Sequence, residues 1–151
     1  MELKDRFTVS AENQAVWDYL FDVERSSKCM PGVVSVEAVG DETYQGQLKV
    51  KVGPIAATFD GKVTLTEVEA PRRLVAQIEG GEKSGGSTVK ATFTSTLTPV
   101  DGGTQVEYEM DLNLRGRLAQ FGLTVVRGTA QKMTAAFGRC VQDALSVEPA
   151  S

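Results

Sequence analysis

Residues 124–145, TVVRGTAQKMTAAFGRCVQDAL, decide the fold because they restore a helical pattern after about eighty residues of strand pattern. Apolar residues recur on one side of this segment and polar residues on the other. At a rise of 1.5 Å per residue the helix is about 30 Å long, which is enough to cross a sheet. The segment is therefore predicted to cover the buried face of a sheet. That apolar side consists of Val126, Met133, Phe137, Cys140 and Ala144.

Alternating apolar and polar residues predict the sheet that this helix covers. The alternation is clearest over residues 57–66, 89–97 and 106–114, and it is typical of antiparallel strands with one buried face. Gly53-Pro54 is predicted to bulge or bend a strand. Asp101-Gly102-Gly103 is predicted to close a hairpin.

The order of the elements predicts an α+β domain with a helix-grip fold. Residues 3–9 alternate as a first strand, and helical spacing over residues 16–23 predicts a short helix that ends before Cys29-Met30-Pro31-Gly32. We expect a curved antiparallel sheet of about six to seven strands wrapped around the long C-terminal helix. One domain spans residues 1–146, and residues 147–151 form a short tail.

Composition excludes several kinds of site. The 151 residues include 16 Lys and Arg, 20 Asp and Glu, and no histidine. Histidine-dependent nucleophile systems and most zinc or non-haem iron sites are thereby excluded, and we expect no metal. The net charge of −4 disfavours nucleic acid as a partner. A charged N-terminus and the lack of a long apolar run predict a cytoplasmic protein.

Two cysteines, Cys29 and Cys140, lie far apart in the sequence. Their spacing excludes a CxxC motif of the zinc-ribbon or thioredoxin type. It leaves a disulfide open, but a lone distant pair in a chain without an export signal is more often reduced. We therefore expect two buried thiols.

Small residues on the inward face of the sheet predict a cavity under the helix. Ala57, Gly61, Ala76, Ala91 and Ser95 stand there among larger side chains. On a strongly curved sheet, small residues leave space that one helix does not fill. For any single residue, an ordinary place in the core is the alternative. The candidate ligand-binding set is Met30, Val50, Phe59, Val63, Ile78, Phe93, Tyr108, Met110, Phe121, Val126, Met133 and Phe137.

No catalytic residue is predicted. Acid–base chemistry would need a carboxylate that points into the cavity, whereas strand parity turns Asp60, Glu107, Glu109 and Asp111 outward. Ser95 and Tyr108 point inward and could hydrogen-bond one polar group of a ligand, or simply satisfy a backbone group. The glycine-rich residues 80–86 are followed by a strand pattern, so they predict a mobile hairpin and not a phosphate loop. A cyclase or hydrolase of an apolar substrate remains the alternative to a binding protein.

The C-terminal third of the chain is locally basic. Between Leu112 and Gln142 there are five basic residues and no acid. An ordinary solvated helix face is one interpretation, and a docking surface for an acidic partner or an anionic membrane is the other. The candidate docking residues are Arg127, Lys132 and Arg139.

Three stretches carry a family resemblance: CMPGV at 29–33, VKVGPIAATFDGKV at 50–63 and GRLAQFG at 116–122. Together they resemble the G-type subunit family of carbon monoxide dehydrogenase, over about Phe7 to Val141. That family belongs to the START-like, polyketide-cyclase-like superfamily, so the resemblance implies the same helix-grip fold. It offers no catalytic triad to transfer.

The resemblance also implies a function. It suggests a protein that works beside the molybdenum carbon monoxide dehydrogenase in aerobic CO oxidation, recruits that enzyme to the inner face of the cell membrane and handles a respiratory quinone, menaquinone. It places the cavity mouth near Met30-Pro31-Gly32 and Gly53-Pro54. Members often carry a membrane-contacting C-terminal extension, whereas this sequence stops at residues 147–151. A recruitment adaptor that binds no quinone is the alternative.

Overall fold

The computed structural model describes residues 1–146, which contain seven strands and three α-helices. The strands are β1 (Glu2–Val9), β2 (Val33–Gly40), β3 (Thr43–Val52), β4 (Ile55–Glu69), β5 (Arg73–Glu82), β6 (Ser87–Val100) and β7 (Gly103–Gly116). The helices are α1 (Asn13–Phe21), α2 (Val23–Ser26) and α3 (Gly122–Ser146). Two 3-10 turns, Ser27–Cys29 and Arg117–Phe121, precede β2 and α3. The predicted tail, residues 147–151, lies outside the described residues.

All the strands form one antiparallel sheet in the order β1-β7-β6-β5-β4-β3-β2. The predicted α+β helix-grip architecture is confirmed, and α3 begins and ends close to the predicted bounds. The predicted hairpin at residues 101–103 is also confirmed. Gly53-Pro54, however, is the two-residue turn that joins β3 to β4, because Val52 pairs with Ile55. The prediction of a bulge or bend within one strand was wrong.

The edge strand β2 departs from simple alternation. The register of its pairing with β3 shifts between Val33 and Ser35, which is the geometry of a β-bulge. The extra residue, Val34, is 54% exposed. Val33 and Val36 therefore face inward in place of Val34.

Buried residues form two clusters. The first includes Leu3, Val52, Phe59, Leu118 and Val126 and lies where the start of α3 meets the sheet. The second joins α1 to the other end of α3, and its largest members are Val9, Val16, Trp17, Tyr19 and Val141. The sheet is thus packed at both ends of α3, which leaves the middle of its concave face to the cavity described below.

α3 approaches β1 closely at one glycine. A Cβ atom added to Gly138 would lie 2.9 Å from the ring of Phe7, so a larger residue there would push the helix away from the sheet. The Phe7 ring meets that of Phe137 edge-on, with centroids 6.0 Å apart. This close approach fixes the side of α3 that faces the cavity.

A disulfide joins Cys29 to Cys140, with the Cα atoms 5.3 Å apart. The prediction of two reduced thiols was wrong. Burial was predicted correctly for Cys29, which is 7% exposed. The error arose because sequence spacing carries no information on distance in the fold: 111 residues separate the two cysteines, but α3 returns across the sheet to the turn that holds Cys29.

Candidate functional site

A cavity of about 470 Å³ lies between the curved sheet, α2 and α3, and its wall is almost wholly apolar. Residues from β2 to β7 form its floor, and α2, the turn after it and α3 form its roof. This volume is within the usual range for small-molecule sites, about 300–1,000 Å³. The predicted residues that line it are Met30, Val50, Phe59, Val63, Ile78, Met110, Met133 and Phe137.

The remaining predicted residues lie outside the cavity wall. Phe93 and Tyr108 stack on each other with centroids 5.6 Å apart, and the Tyr108 hydroxyl hydrogen-bonds Thr134 of α3 at 2.8 Å. α3 therefore rests directly on this part of the sheet and leaves no space there. Burial raises the pKa of Tyr108, so its phenol stays protonated. Ser95 is buried beside Tyr108 and likewise does not reach the cavity.

Two further predicted residues belong to the packing at the start of α3. Val126 is buried in the first core cluster, and Phe121 packs against the same cluster. Phe121 also lies against the turn between β3 and β4, 3.5 Å from the position of a Cβ atom on Gly53. The wall reaches Met30 and Val52, whereas Gly53 and Pro54 do not border it.

Sequence reasoning missed the part of the wall that comes from α2 and the edge of the sheet. Val23, Ser26 and Ser27 contribute to the roof, while Val33, Val36 and Tyr44 line the side formed by β2 and β3. The alternation in β3 could have indicated Tyr44, since it pairs with Val63. The bulge concealed Val33, and nothing in the sequence shows that α2 folds over the cavity.

A row of glycines forms the thinnest part of the wall. Gly46 pairs with Gly61, and Gly61 pairs with Gly80 on the next strand. All three border the cavity and also a depression on the outer face of the sheet. Because no side chains fill the inner face here, the cavity extends to the backbone itself. Lys62 and Glu79 border the cavity at this row, but both are exposed and are partners on the outer face.

A buried carboxylate lies beside the cavity and is fully paired. The side chain of Glu82, at the end of β5, is 1% exposed, so the predicted mobile hairpin is restricted to the short turn between β5 and β6. Nε of Arg117 donates to both Glu82 oxygens at 3.0 and 3.1 Å, and Nη2 donates a further bond. This pairing lowers the pKa of Glu82, chiefly through the Arg117 hydrogen bonds. An ionised, neutralised carboxylate outside the cavity wall is a poor general acid or base.

The pair predicts a dependence of stability on pH. Because the folded-state pKa of Glu82 is lowered from 4.5, its contribution is present above about pH 4.5 and is lost as the pH falls through the folded value. Glu82→Gln should therefore lower Tm at pH 7, and the difference from the unsubstituted protein should shrink towards zero near pH 3. Thermal unfolding measured across this range checks the expectation.

A matched control is Glu69→Gln, because Glu69 pairs with the exposed Arg72 on the surface. Surface pairs contribute little, so this variant should unfold like the unsubstituted protein at every pH. A Tm difference for Glu82→Gln that stays constant from pH 7 to pH 3 would contradict the assignment.

The candidate docking residues Arg127, Lys132 and Arg139 are exposed on α3, away from the cavity. Lys132 and Arg139 are seven residues apart and so lie on the same side of the helix. Within residues 1–146 none of the three forms a salt bridge. Arg117, by contrast, is held by Glu82 and does not belong to this surface. In the same part of the chain, no helix is both long and apolar enough to span a membrane, and no group of acidic, cysteine or histidine residues is arranged to hold a metal.

Comparison with known families identifies the chain. The profile of CoxG, the G-type subunit of carbon monoxide dehydrogenase, matches residues 6–146. The chain belongs to the CoxG family. The resemblance seen in the three sequence stretches is thus confirmed. Among curated protein sequences, none matches this CoxG-family chain.

Solved structures show the fold that the CoxG chain shares. A conserved protein from Geobacillus kaustophilus superposes with a TM-score of 0.88 at 22% identity, covering 97% of this chain and 95% of that one. A START superfamily protein from Mycobacterium smegmatis gives 0.73 at 10% identity, with 96% and 97% coverage. The Zhui aromatase/cyclase from Streptomyces sp. R1128 gives 0.66 at 18% identity, with 95% and 92% coverage. The START-like fold is confirmed, and family and fold together suggest a ligand-binding protein.

Proposed function

We propose that this CoxG-family protein is a non-catalytic binding protein that holds a respiratory quinone, menaquinone, in the cavity. The observation that carries the proposal is the 470 Å³ cavity with an apolar wall. Burial of apolar surface stabilises a complex by about 25 cal/mol per Å², so a quinone needs no charged contact to bind. In this role the protein couples the molybdenum carbon monoxide dehydrogenase to the membrane during aerobic CO oxidation.

The size of the cavity limits how much of the quinone is enclosed. At about 30 Å³ per water-sized unit, 470 Å³ holds roughly 16 non-hydrogen atoms. This matches the naphthoquinone ring and about one isoprene unit. The rest of a long tail must leave the cavity. The proposal therefore requires short-tailed and long-tailed menaquinones to bind with similar affinity.

Mass spectrometry of organic-solvent extracts tests the proposal. The purified protein is incubated with and without short-tailed menaquinone, separated from unbound quinone and extracted. We expect about one quinone per chain after loading, and we expect a lipid or quinone in part of the unloaded sample. Repeated failure to load any quinone would show that the cavity does not serve this ligand.

A cyclase or hydrolase is less well supported. A reaction of that kind needs an acid or base in contact with the substrate. The ionisable groups nearest the cavity are the outward-facing Lys62 and Glu79 and the fully paired Glu82. The similarity to the Zhui aromatase/cyclase concerns the fold.

The exposed basic residues of α3 favour a second role, in which the same protein docks an acidic partner. Reversing Arg127, Lys132 and Arg139 to Glu should weaken capture of the dehydrogenase by about tenfold or more at low salt, because complementary charges mainly accelerate association. Binding measured at low and high salt checks this expectation, and menaquinone loading should stay unchanged.

The matched control reverses three exposed lysines of the outer sheet face, Lys49, Lys62 and Lys90, to Glu. This changes the net charge by the same amount away from α3. If both triple variants lose capture equally, the effect is one of net charge, and the docking surface on α3 is refuted.

A further inference from the structure

The disulfide joins the roof of the cavity to its long helix. Cys29 lies between Ser27 and Met30, both of which line the cavity. Cys140 lies about one helical turn beyond Phe137, which lines the opposite side. We define residues 23–30 as the cover segment, because Val23 and Ser26 border the cavity as well. The Cys29–Cys140 bond is therefore a covalent link between the cover segment and α3.

The polar contacts within the cover segment are local. The Ser26 hydroxyl donates to the Leu20 carbonyl oxygen at 3.2 Å, and the Ser27 hydroxyl donates to the Glu24 carbonyl oxygen at 3.3 Å. The Met30 N–H donates to the Ser27 carbonyl oxygen at 3.0 Å. These bonds maintain the shape of the segment but do not join it to α3. Its position over the cavity consequently depends on the disulfide and on apolar packing.

The surroundings of the two sulfur atoms favour attack from one direction. Cys29 is buried, whereas Cys140 is partly exposed on α3. The Tyr19 hydroxyl lies 3.2 Å from Sγ of Cys29. A disulfide sulfur carries no hydrogen, so the tyrosine is the donor. The same hydroxyl can stabilise a thiolate on Cys29, which makes Cys29 the better leaving group when Cys140 is attacked.

We propose that the Cys29–Cys140 disulfide is a redox latch that controls entry to and exit from the cavity. This inference rests on the proposed function insofar as the cavity binds a ligand. In the oxidised protein the cover segment is tied to α3 and exchange is slow. In the reduced protein the cover segment moves away from α3 and exchange is fast.

The opening step is ordinary thiol–disulfide exchange with a dithiol as the reductant. One thiolate of the dithiol attacks Sγ of Cys140 and expels the Cys29 thiolate, which takes up a proton. The second thiolate of the dithiol then attacks the mixed disulfide and releases the Cys140 thiolate, which is protonated in turn. Two electrons pass to the protein, which gains two thiols, and the dithiol becomes a disulfide.

Hydrogen–deuterium exchange tests the latch without any ligand. Oxidised protein, protein reduced with a dithiol and the Cys29→Ser/Cys140→Ser variant are compared after thiol titration has confirmed their states. We expect amide exchange over residues 23–30 to be about tenfold faster in the last two samples, with β4 to β7 unchanged. Equal exchange over residues 23–30 in the oxidised and reduced protein, or two free thiols in the protein as purified under air, would overturn the proposal.

Stopped-flow fluorescence with N-phenyl-1-naphthylamine, a neutral apolar dye, tests the consequence for the cavity. Association and dissociation should both become about tenfold faster on reduction, so that Kd changes much less than either rate. Rates that stay equal in the two states would overturn the latch. If the dye binds neither state, the ligand-binding proposal fails, and hydrogen exchange alone decides whether the cover segment is released.

Tyr19→Phe separates the chemistry from the structural effect. This variant keeps the ring and the disulfide but lacks the donor to Cys29, so it should be reduced by the dithiol several-fold more slowly. Its dye exchange in the fully oxidised and fully reduced states should match that of the unsubstituted protein. Unchanged reduction kinetics would overturn the role of Tyr19 as a positioned donor.

Discussion

Gly61→Leu should reduce menaquinone binding by about 100-fold while the protein stays folded. Gly61 lies in the middle of the glycine row, and a Cβ atom there would be 3.4 Å from the nearest atom, the Glu79 carbonyl oxygen. The first carbon of a new side chain is therefore accommodated. Its remaining carbons extend into the cavity, and four carbons take up about a quarter of the space for 16 non-hydrogen atoms.

The size of this effect follows from packing. Forcing atoms into an occupied interior costs about 1–3 kcal/mol, and each 1.4 kcal/mol is tenfold in Kd. Stability should be unchanged or higher, because leucine replaces a glycine within a strand. Fluorescence or calorimetric titration of the quinone measures Kd, and urea unfolding measures stability.

Gly40→Leu is the matched control for this substitution. Gly40 ends the edge strand β2 and does not border the cavity, and the nearest atom to an added Cβ is 4.0 Å away. The same side chain is thus introduced outside the site, and binding should not change. If Gly61→Leu binds quinone as tightly as the unsubstituted protein does, the ligand is held somewhere other than this cavity.

Cys29→Ser/Cys140→Ser should lower the free energy of unfolding by about 4 kcal/mol. The disulfide closes a loop of 111 residues, and closure of a loop of that length restricts the unfolded chain by about 4–5 kcal/mol. For a domain of this size, 1 kcal/mol corresponds to about 2–4 °C in Tm. The variant should therefore unfold roughly 10 °C lower, and its urea m-value should rise because its unfolded chain is less compact.

Reduction of the unsubstituted protein is the control for the two serines. Dithiol treatment breaks the same bond without placing a hydroxyl at buried Cys29, so its loss of stability isolates the effect of the bond. Agreement of the two values would assign the stabilisation to the cross-link. An unfolding free energy that does not change on reduction would mean that the unfolded chain is already restricted near these residues.

Much of the architecture was predictable because period-two and helical patterns report directly on which face of an element is buried. The strand alternation through Val63 and Met110 and the helix pattern through Met133 and Phe137 placed these residues on inward faces, where the structure has them. The same reasoning placed Phe93 inward correctly. It could not show that α3 rests on this part of the sheet and leaves the open space beside it.

Other features depend on distances that one sequence does not encode. The partner of Cys29 is 111 residues away, and that of Glu82 is 35 residues away. Parity did place Glu82 on the inward face, two residues after Gly80, but the glycine-rich context around it predicted a mobile hairpin. A carboxylate at an inward position of a strand was the available signal for a buried ion pair, because a buried charge requires a partner.

The glycine row also has an electrical consequence. Where Gly46, Gly61 and Gly80 meet, the molecule is only one peptide layer thick between the cavity and the outer depression. The outer face carries Lys62, Glu79 and Lys90 in one cross-strand line. Coulomb interactions fall only with the inverse of distance and are poorly screened through a low-dielectric layer. These surface charges therefore act as a fixed bias on the electron affinity of whatever occupies the cavity, without touching it.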